Sequence, residues 1–203
     1  METEHERWSR IFSGSTFYYG QEPGSVARRA LKYARSLNPQ GGSALDAGCG
    51  EGQDLLLLAQ SGYDCLGLDF TSEGIAKARR LLNEHNQSAH LEVADLTRWN
   101  TDQRFDLVLS INAIQFTGAK APQVLKKLQT LVAPGGVLGF SAFARENEST
   151  DPLDGPLYRF HLDELLLNFK GWQPFEAARL WQWGTGTDAP QPFVTLVAGR
   201  LVP

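Results

Sequence analysis

Residues 44–52 read Ala44-Leu45-Asp46-Ala47-Gly48-Cys49-Gly50-Glu51-Gly52, and this stretch narrows the choice of fold more than any other in the chain. Three glycines at alternate positions follow a short apolar run (43–47) and precede a segment of helical character (53–59). Glycine lets the backbone bend sharply there and approach a ligand without Cβ clashes. A strand that turns into a helix in this way is the start of a βαβ unit, which needs further parallel strands and helices to cover them.

The remaining sequence supplies that alternation. Ala27, Ala30, Leu31 and Ala34 share one helical face, and Asn38-Pro39 stops that helix because a residue before proline is pushed out of the helical region. Residues 63–68 read as a second strand. A helical stripe follows at Ile75, Ala78 and Leu82, introduced by the capping pair Thr71-Ser72. Residues 90–93 and 105–111 give two more strands, the latter nearly all apolar, as a strand buried on both faces must be. Val124, Leu125, Leu128, Leu131 and Val132 form a helix face ended by Pro134-Gly135-Gly136, and residues 137–143 form the next strand. A last helix at Leu162, Leu165, Leu166 and Phe169 leads into two strands, 175–181 and 193–201, that read as a hairpin. The expectation is an α/β, doubly wound parallel sheet closed by an antiparallel pair.

Composition removes several functional classes. With 203 residues, 42% hydrophobic, the chain can bury about 70% of its extended surface, enough for one such domain. Its longest apolar runs, 105–111 and 193–198, fall short of the roughly 20 residues of a membrane helix. The 19 basic residues are scattered and the net charge is −4, which opposes nucleic acid. The acidic, polar opening Met1-Glu2-Thr3-Glu4-His5-Glu6 is unlike a secretory leader, so the expected location is cytoplasmic. Cys49 and Cys65 read as free thiols, metal-ligand spacing is absent, and the expected partner is a small molecule.

The acids near the glycine turn indicate its ligand. A dinucleotide turn has the spacing Gly-x-Gly-x-x-Gly and a helix end free for pyrophosphate. Here the spacing is Gly-x-Gly-x-Gly, and Asp46 and Glu51 crowd that end with negative charge, which favours a cationic ligand. Asp69 ends the second strand, 17 residues after Gly52, where an acid can take both hydroxyls of a ribose. Asp95 follows the third strand, and Phe70 with Leu96 would suit a purine ring.

Five segments in order, 45–52, Gly67-Leu68-Asp69, Ala94-Asp95-Leu96, Phe105-Asp106-Leu107-Val108 and Pro134-Gly135-Gly136, resemble the successive motifs of class I S-adenosylmethionine-dependent methyltransferases. The resemblance implies a Rossmann-like seven-stranded sheet of order 3-2-1-4-5-7-6 with its last strand antiparallel, and S-adenosylmethionine as cofactor. It further implies Asp46, Gly48 and Gly50 at the methionine end, Asp69 on the ribose, Phe70, Asp95 and Leu96 around the adenine, and residues 110–112, including Ser110 and Ile111, closing the floor. Cys49, packed as a small apolar group, and Tyr19 complete the expected cofactor set. Residues 17–23 and the tail from Tyr158 to Trp172 are similar to the small tellurite-resistance and thiopurine-type methyltransferases. The chain then reads as a single methyltransferase domain, 1–203: an N-terminal lid and helix (1–40), a cofactor-binding core (41–143), and a substrate-side helix with C-terminal hairpin (144–203). Tyr18 and Tyr19 belong to the lid, with Gly20 and Pro23 as its hinge.

The expected reaction is methyl transfer to a small molecule, a thiol or a tellurite- or selenite-type oxyanion. Such a nucleophile needs no general base, so the catalytic residues are left unassigned. Substrate-side candidates are Arg145, Arg159 and His161, with Asn112, Gln115 and Tyr158 near them. Two other readings stay open: N-, O- or C-methylation of a small metabolite, for which His161 is the candidate base, and a non-catalytic S-adenosylmethionine-binding module. A nicotinamide oxidoreductase is a remoter alternative.

Overall fold

Ser43–Ala47 forms β1 at the centre of the sheet because its side chains are apolar on both faces. Leu45 and Ala47 point into one core, Ala44 into the other, and all three are fully buried. A computed structural model describes residues 2–146, 153–154, 156–183 and 189–202. Around β1 lie β2 (Asp64–Asp69), β3 (His90–Val93), β4 (Phe105–Ile111), β5 (Val132–Phe143), β6 (Trp172–Trp183) and β7 (Pro190–Arg200). They form one seven-stranded sheet of order β3-β2-β1-β4-β5-β7-β6. The first five strands are mutually parallel, and β7 is antiparallel to both β5 and β6. This is the expected Rossmann-like order with its reversed last strand.

Both faces are covered. α2 (Ser25–Leu37), α3 (Gln53–Gln60) and α4 (Ser72–Glu84) pack Ala27, Ala30, Leu55, Leu58 and Leu81 against Leu107, Leu109, Val137 and Val197. On the other face α5 (Ala121–Leu131) and α6 (Leu162–Asn168) place Val124, Leu125, Leu128 and Leu165 against Val108, Leu138, Phe140 and Leu196. Thr71 caps α4 by accepting from the Gly74 amide at 3.2 Å.

Several boundaries differ from the sequence reading. α5 ends at Leu131 and β5 starts at Val132, so Pro134-Gly135-Gly136 lies inside the strand. The ladder to β4 shifts register there, and Gly135 takes φ +81° to absorb the shift. The final pair is longer than expected, a 3-10 turn spans Ile114–Lys120, and a short ribbon joins Leu153–Asp154 to Leu157–Tyr158.

The largest difference is α1 (Glu4–Phe12), which the sequence reading left as a polar opening. Thr3 and Glu6 form a capping box, with the Glu6 amide donating to Thr3 Oγ1 at 3.2 Å and the Thr3 amide to Glu6 Oε2 at 2.8 Å. Trp8 and Phe12, four residues apart, share the buried face of α1, which packs on α4.

Candidate cofactor and acceptor site

The strand order reverses between β1 and β4, and their carboxyl ends open into a cavity of about 550 Å³. This is where ligands bind in open α/β sheets. The glycine turn forms one wall. Gly48 has φ +91°, and a Cβ on it would overlap Ala113 Cβ, so glycine here lets the turn and the end of β4 meet. Gly52, also at φ +91°, lies against α4, where an added Cβ would come within 2.8 Å of Ala78.

Acids dominate the lining. Asp46 is 2% exposed, and its Oδ2 is buried without a hydrogen-bond partner. Burial pushes its carboxyl well up, reinforced by the charges of Asp54 and Asp69. Asp54, in the first turn of α3, accepts from the Gly24 amide at 2.6 Å; burial raises it too, against the pull of that bond. Asp69 takes three donors: the Gly50 amide at 3.0 Å on Oδ2, and the Thr71 amide and hydroxyl at 2.9 and 2.6 Å on Oδ1. Burial still leaves its carboxyl above the ordinary range. Asp95 is half-exposed; burial opposes its ionisation, but the Thr97 amide at 2.8 Å, the Thr97 hydroxyl, Arg98 and Lys120 together hold it low.

Aromatic rings roof the cavity. Trp8 stacks on Tyr19 with centroids 6.1 Å apart and meets Phe116 edge-on at 5.1 Å. Phe70 and Leu96 line the far end, where His5 of α1 packs edge-on against Phe70 at 5.6 Å. Asn112 holds φ +52°, uncommon outside glycine, and its side chain is fixed by Ser141 Oγ at 2.9 Å.

Tyr19, Asp46, Gly48, Cys49, Gly50, Asp69, Phe70, Asp95, Leu96 and Ile111 all line this cavity. Ser110 does not. It is fully buried within β4, and its hydroxyl donates to the Ala47 carbonyl at 3.1 Å, tying two central strands together. Glu51 also needs correcting, because its charge is not spare for a ligand. Lys77 Nζ sits 2.6 Å from Oε1, and Oε2 accepts from the amides of Tyr18 and Tyr19.

The substrate-side candidates separate. Asn112 lines the cavity, whereas Arg145, Arg159 and His161 stand away from it. Arg145 pairs with Glu164 at 2.8 Å, and the Arg159 guanidinium lies 5.4 Å over the Phe143 ring. His161 occupies the N-cap position of α6 without a side-chain capping bond. Gln115 is fully buried, with neither amide atom partnered, outside the cavity wall, and Tyr158 packs on Phe160. The sequence reading missed Trp8, Phe12, Asp54, Phe116 and Lys120 as lining residues. For the first two, the Thr3-to-Glu6 box and the four-residue aromatic spacing were available signals.

The residues present fit S-adenosylmethionine. Its ammonium can meet the orphaned Asp46 Oδ2, its positive charge suits the buried carboxyls, the glycine cradle admits a close backbone approach, and Phe70 with Leu96 can flank a flat ring. Residues 44–136 match the family model of a methyltransferase domain. Fold and match point to one class: residues 44–136 are similar to a methyltransferase domain, and they sit in a Rossmann-like seven-stranded sheet.

Among curated proteins, it is 27% identical over 136 residues to the probable S-adenosyl-L-methionine-dependent methyltransferase TehB of Haemophilus influenzae, covering 65% of this chain and 46% of that protein. It is 33% identical over 114 residues to the ubiquinone biosynthesis O-methyltransferase of Acinetobacter baylyi, covering 54% of this chain and 47% of that protein. The chain thus spans about half the length of the curated relatives it matches. The crystal structure of H. influenzae TehB superposes with TM-score 0.74 at 20% identity, over 97% of this chain and 66% of that one. The N-methyltransferase NodS of Bradyrhizobium japonicum, in complex with S-adenosyl-L-homocysteine, gives 0.72 at 13% identity, over 97% of each chain. At these identities the two structures speak for the fold.

Proposed function

We propose that the protein transfers a methyl group from S-adenosylmethionine to a small, soft nucleophile, with a thiol preferred over an oxyanion. The observation that carries the cofactor reading is Asp46 Oδ2, a buried acceptor with no partner in a cavity built around the glycine turn. When bound, the cofactor supplies an electrophilic methyl on a sulfonium, so the protein mainly has to align the acceptor and keep water out. Alignment of this kind is worth roughly 7–11 kcal/mol.

Asp46 takes the ammonium, and Asp69 Oδ2 takes a ribose hydroxyl, since its Oδ1 is already filled by Thr71. Trp8, Tyr19 and Phe116 exclude water and offer ring faces to the positive sulfur. No histidine is among the described residues lining the cavity, and the Tyr19 phenol, like any tyrosine with a pKa of about 10, is protonated at neutral pH. A thiol, which loses its proton readily near neutral pH, makes the least demand on these walls for a general base. Among the described lining residues are six acids and one lysine, which disfavours an oxyanion that must enter charged more than a thiol that can enter neutral. A thiol acceptor also suits a cytoplasmic setting, where small thiols stay reduced.

Titration calorimetry with S-adenosylmethionine tests the cofactor reading. The wild type should bind, and Asp69→Ala should lose at least about tenfold in affinity, since a hydrogen bond to a charged group contributes roughly 1.5–3 kcal/mol. Unchanged affinity would remove Asp69 from the ribose. Methyl-labelled cofactor with thiol, tellurite, amine and phenol acceptors then tests the substrate class. Transfer to the amine or phenol but not the thiol would favour N- or O-methylation. Binding with no transfer to any acceptor would favour the binding-module reading.

A further inference from the structure

Side chains from the cofactor wall grip the roof of the cavity. Lys77 Nζ donates to the Thr16 carbonyl at 2.6 Å and lies the same distance from Glu51 Oε1. The other Glu51 oxygen accepts from the Tyr18 amide at 2.7 Å and the Tyr19 amide at 3.2 Å. Between them, the Phe17 ring sits 5.7 Å from the Lys77 ammonium and 4.9 Å from the Arg80 guanidinium. Four successive residues ending at Tyr19 of the roof are therefore held by one carboxylate of the glycine turn and two cations of α4.

The Glu51 and Lys77 side chains are 0% and 8% exposed. Burying such a pair costs both ions their hydration, and apolar residues of equal volume are often at least as stabilising, so stability alone is a weak reason for the pair. Its placement gives a better one. Glu51 stands between Gly50 and Gly52 on the backbone that a ligand would touch, while Tyr19, whose amide donates directly to Oε2, forms the aromatic wall with Trp8.

We propose that Glu51 and Lys77 are positioning residues that couple occupancy of the glycine turn to closure of residues 16–19. The loaded turn would then fix the wall against which the acceptor docks. This rests on the cofactor reading above.

The test uses S-adenosylhomocysteine and needs no knowledge of the acceptor. In the wild type, saturating S-adenosylhomocysteine should slow hydrogen exchange at the Tyr18 and Tyr19 amides by at least about tenfold. In Glu51→Gln/Lys77→Met, which leaves no unpaired buried charge, S-adenosylhomocysteine should dissociate at least about tenfold faster, with association changed less than about threefold and Tm near that of the wild type. A purely structural pair would move Tm and leave the dissociation rate alone. Unchanged amide exchange in the loaded wild type, or a folded double variant with wild-type dissociation, overturns the proposal. If the double variant does not fold, the exchange measurement decides. A wild type that fails to bind S-adenosylhomocysteine overturns the cofactor reading itself, an outcome distinct from failure of the coupling.

Discussion

Asp46, Asp54 and Asp69 share one buried wall, and burial lifts all three carboxyls above the ordinary value of 3.8. The folded protein therefore holds more protons than the unfolded chain from that pH upward, so stability contributed by these groups falls as pH rises through the window. A cation against the wall favours the ionised form. The rise in Tm on adding S-adenosylmethionine is accordingly expected to be larger at about pH 8 than at about pH 5. Melting curves with and without ligand at both pH values check this, and an equal or reversed shift would rule out the carboxyl wall as the cation's seat. Gly48 makes a second case. Gly48→Ala puts a side chain at φ +91° and into Ala113, so it should lower stability by more than the roughly 1 kcal/mol of the backbone strain alone and weaken cofactor binding. Calorimetry and urea unfolding of that variant check both effects. Asp46 and Asp69 were legible in the sequence because each sits at a strand end next to a turn, a position that local pattern defines, whereas Asp54, in the first turn of α3, has no such marker. Arg145 and Arg159 misled because their partners, Glu164 and the Phe143 ring, come from distant segments.

At the scale of elements, α1 carries the clearest consequence. Its capping box is exposed, and its buried face supplies Trp8 to the roof. Thr3→Ala removes the cap at a cost of about 1 kcal/mol, felt mainly in the first turn. Hydrogen exchange should quicken across residues 4–12 while global Tm moves little, and unaltered exchange there would show that packing on α4 alone holds the helix. The periodicity of α2 and α4 was readable because their apolar stripes face a sheet. α1 was obscured because four of its nine residues are charged and only Trp8 and Phe12 are buried. The start of β5 was hidden for another reason: a glycine turn that ends a helix and one that bulges a strand have the same composition.

For the whole molecule, the position of β7 matters most. It pairs with β5 on one side and β6 on the other, with Val194, Leu196 and Ala198 fully buried. Leu196→Ala should cost roughly 2–5 kcal/mol in urea unfolding, as a cavity in a doubly paired strand cannot collapse easily. A cost below about 1 kcal/mol would mean that the hairpin is peripheral to the cooperative unit.

The sequence by itself determined the order of strands and helices, the sharp turn at Gly48, Gly50 and Gly52, and the acids at strand ends, because these depend on local backbone preference and on apolar periodicity. Only the tertiary structure decided what each of those acids faces. Asp46 Oδ2 is buried without a partner, while Glu51 is neutralised by Lys77 and Ser110 is turned inward onto Ala47, outcomes that depend on segments distant in sequence that folding brings within hydrogen-bond reach or leaves out of it.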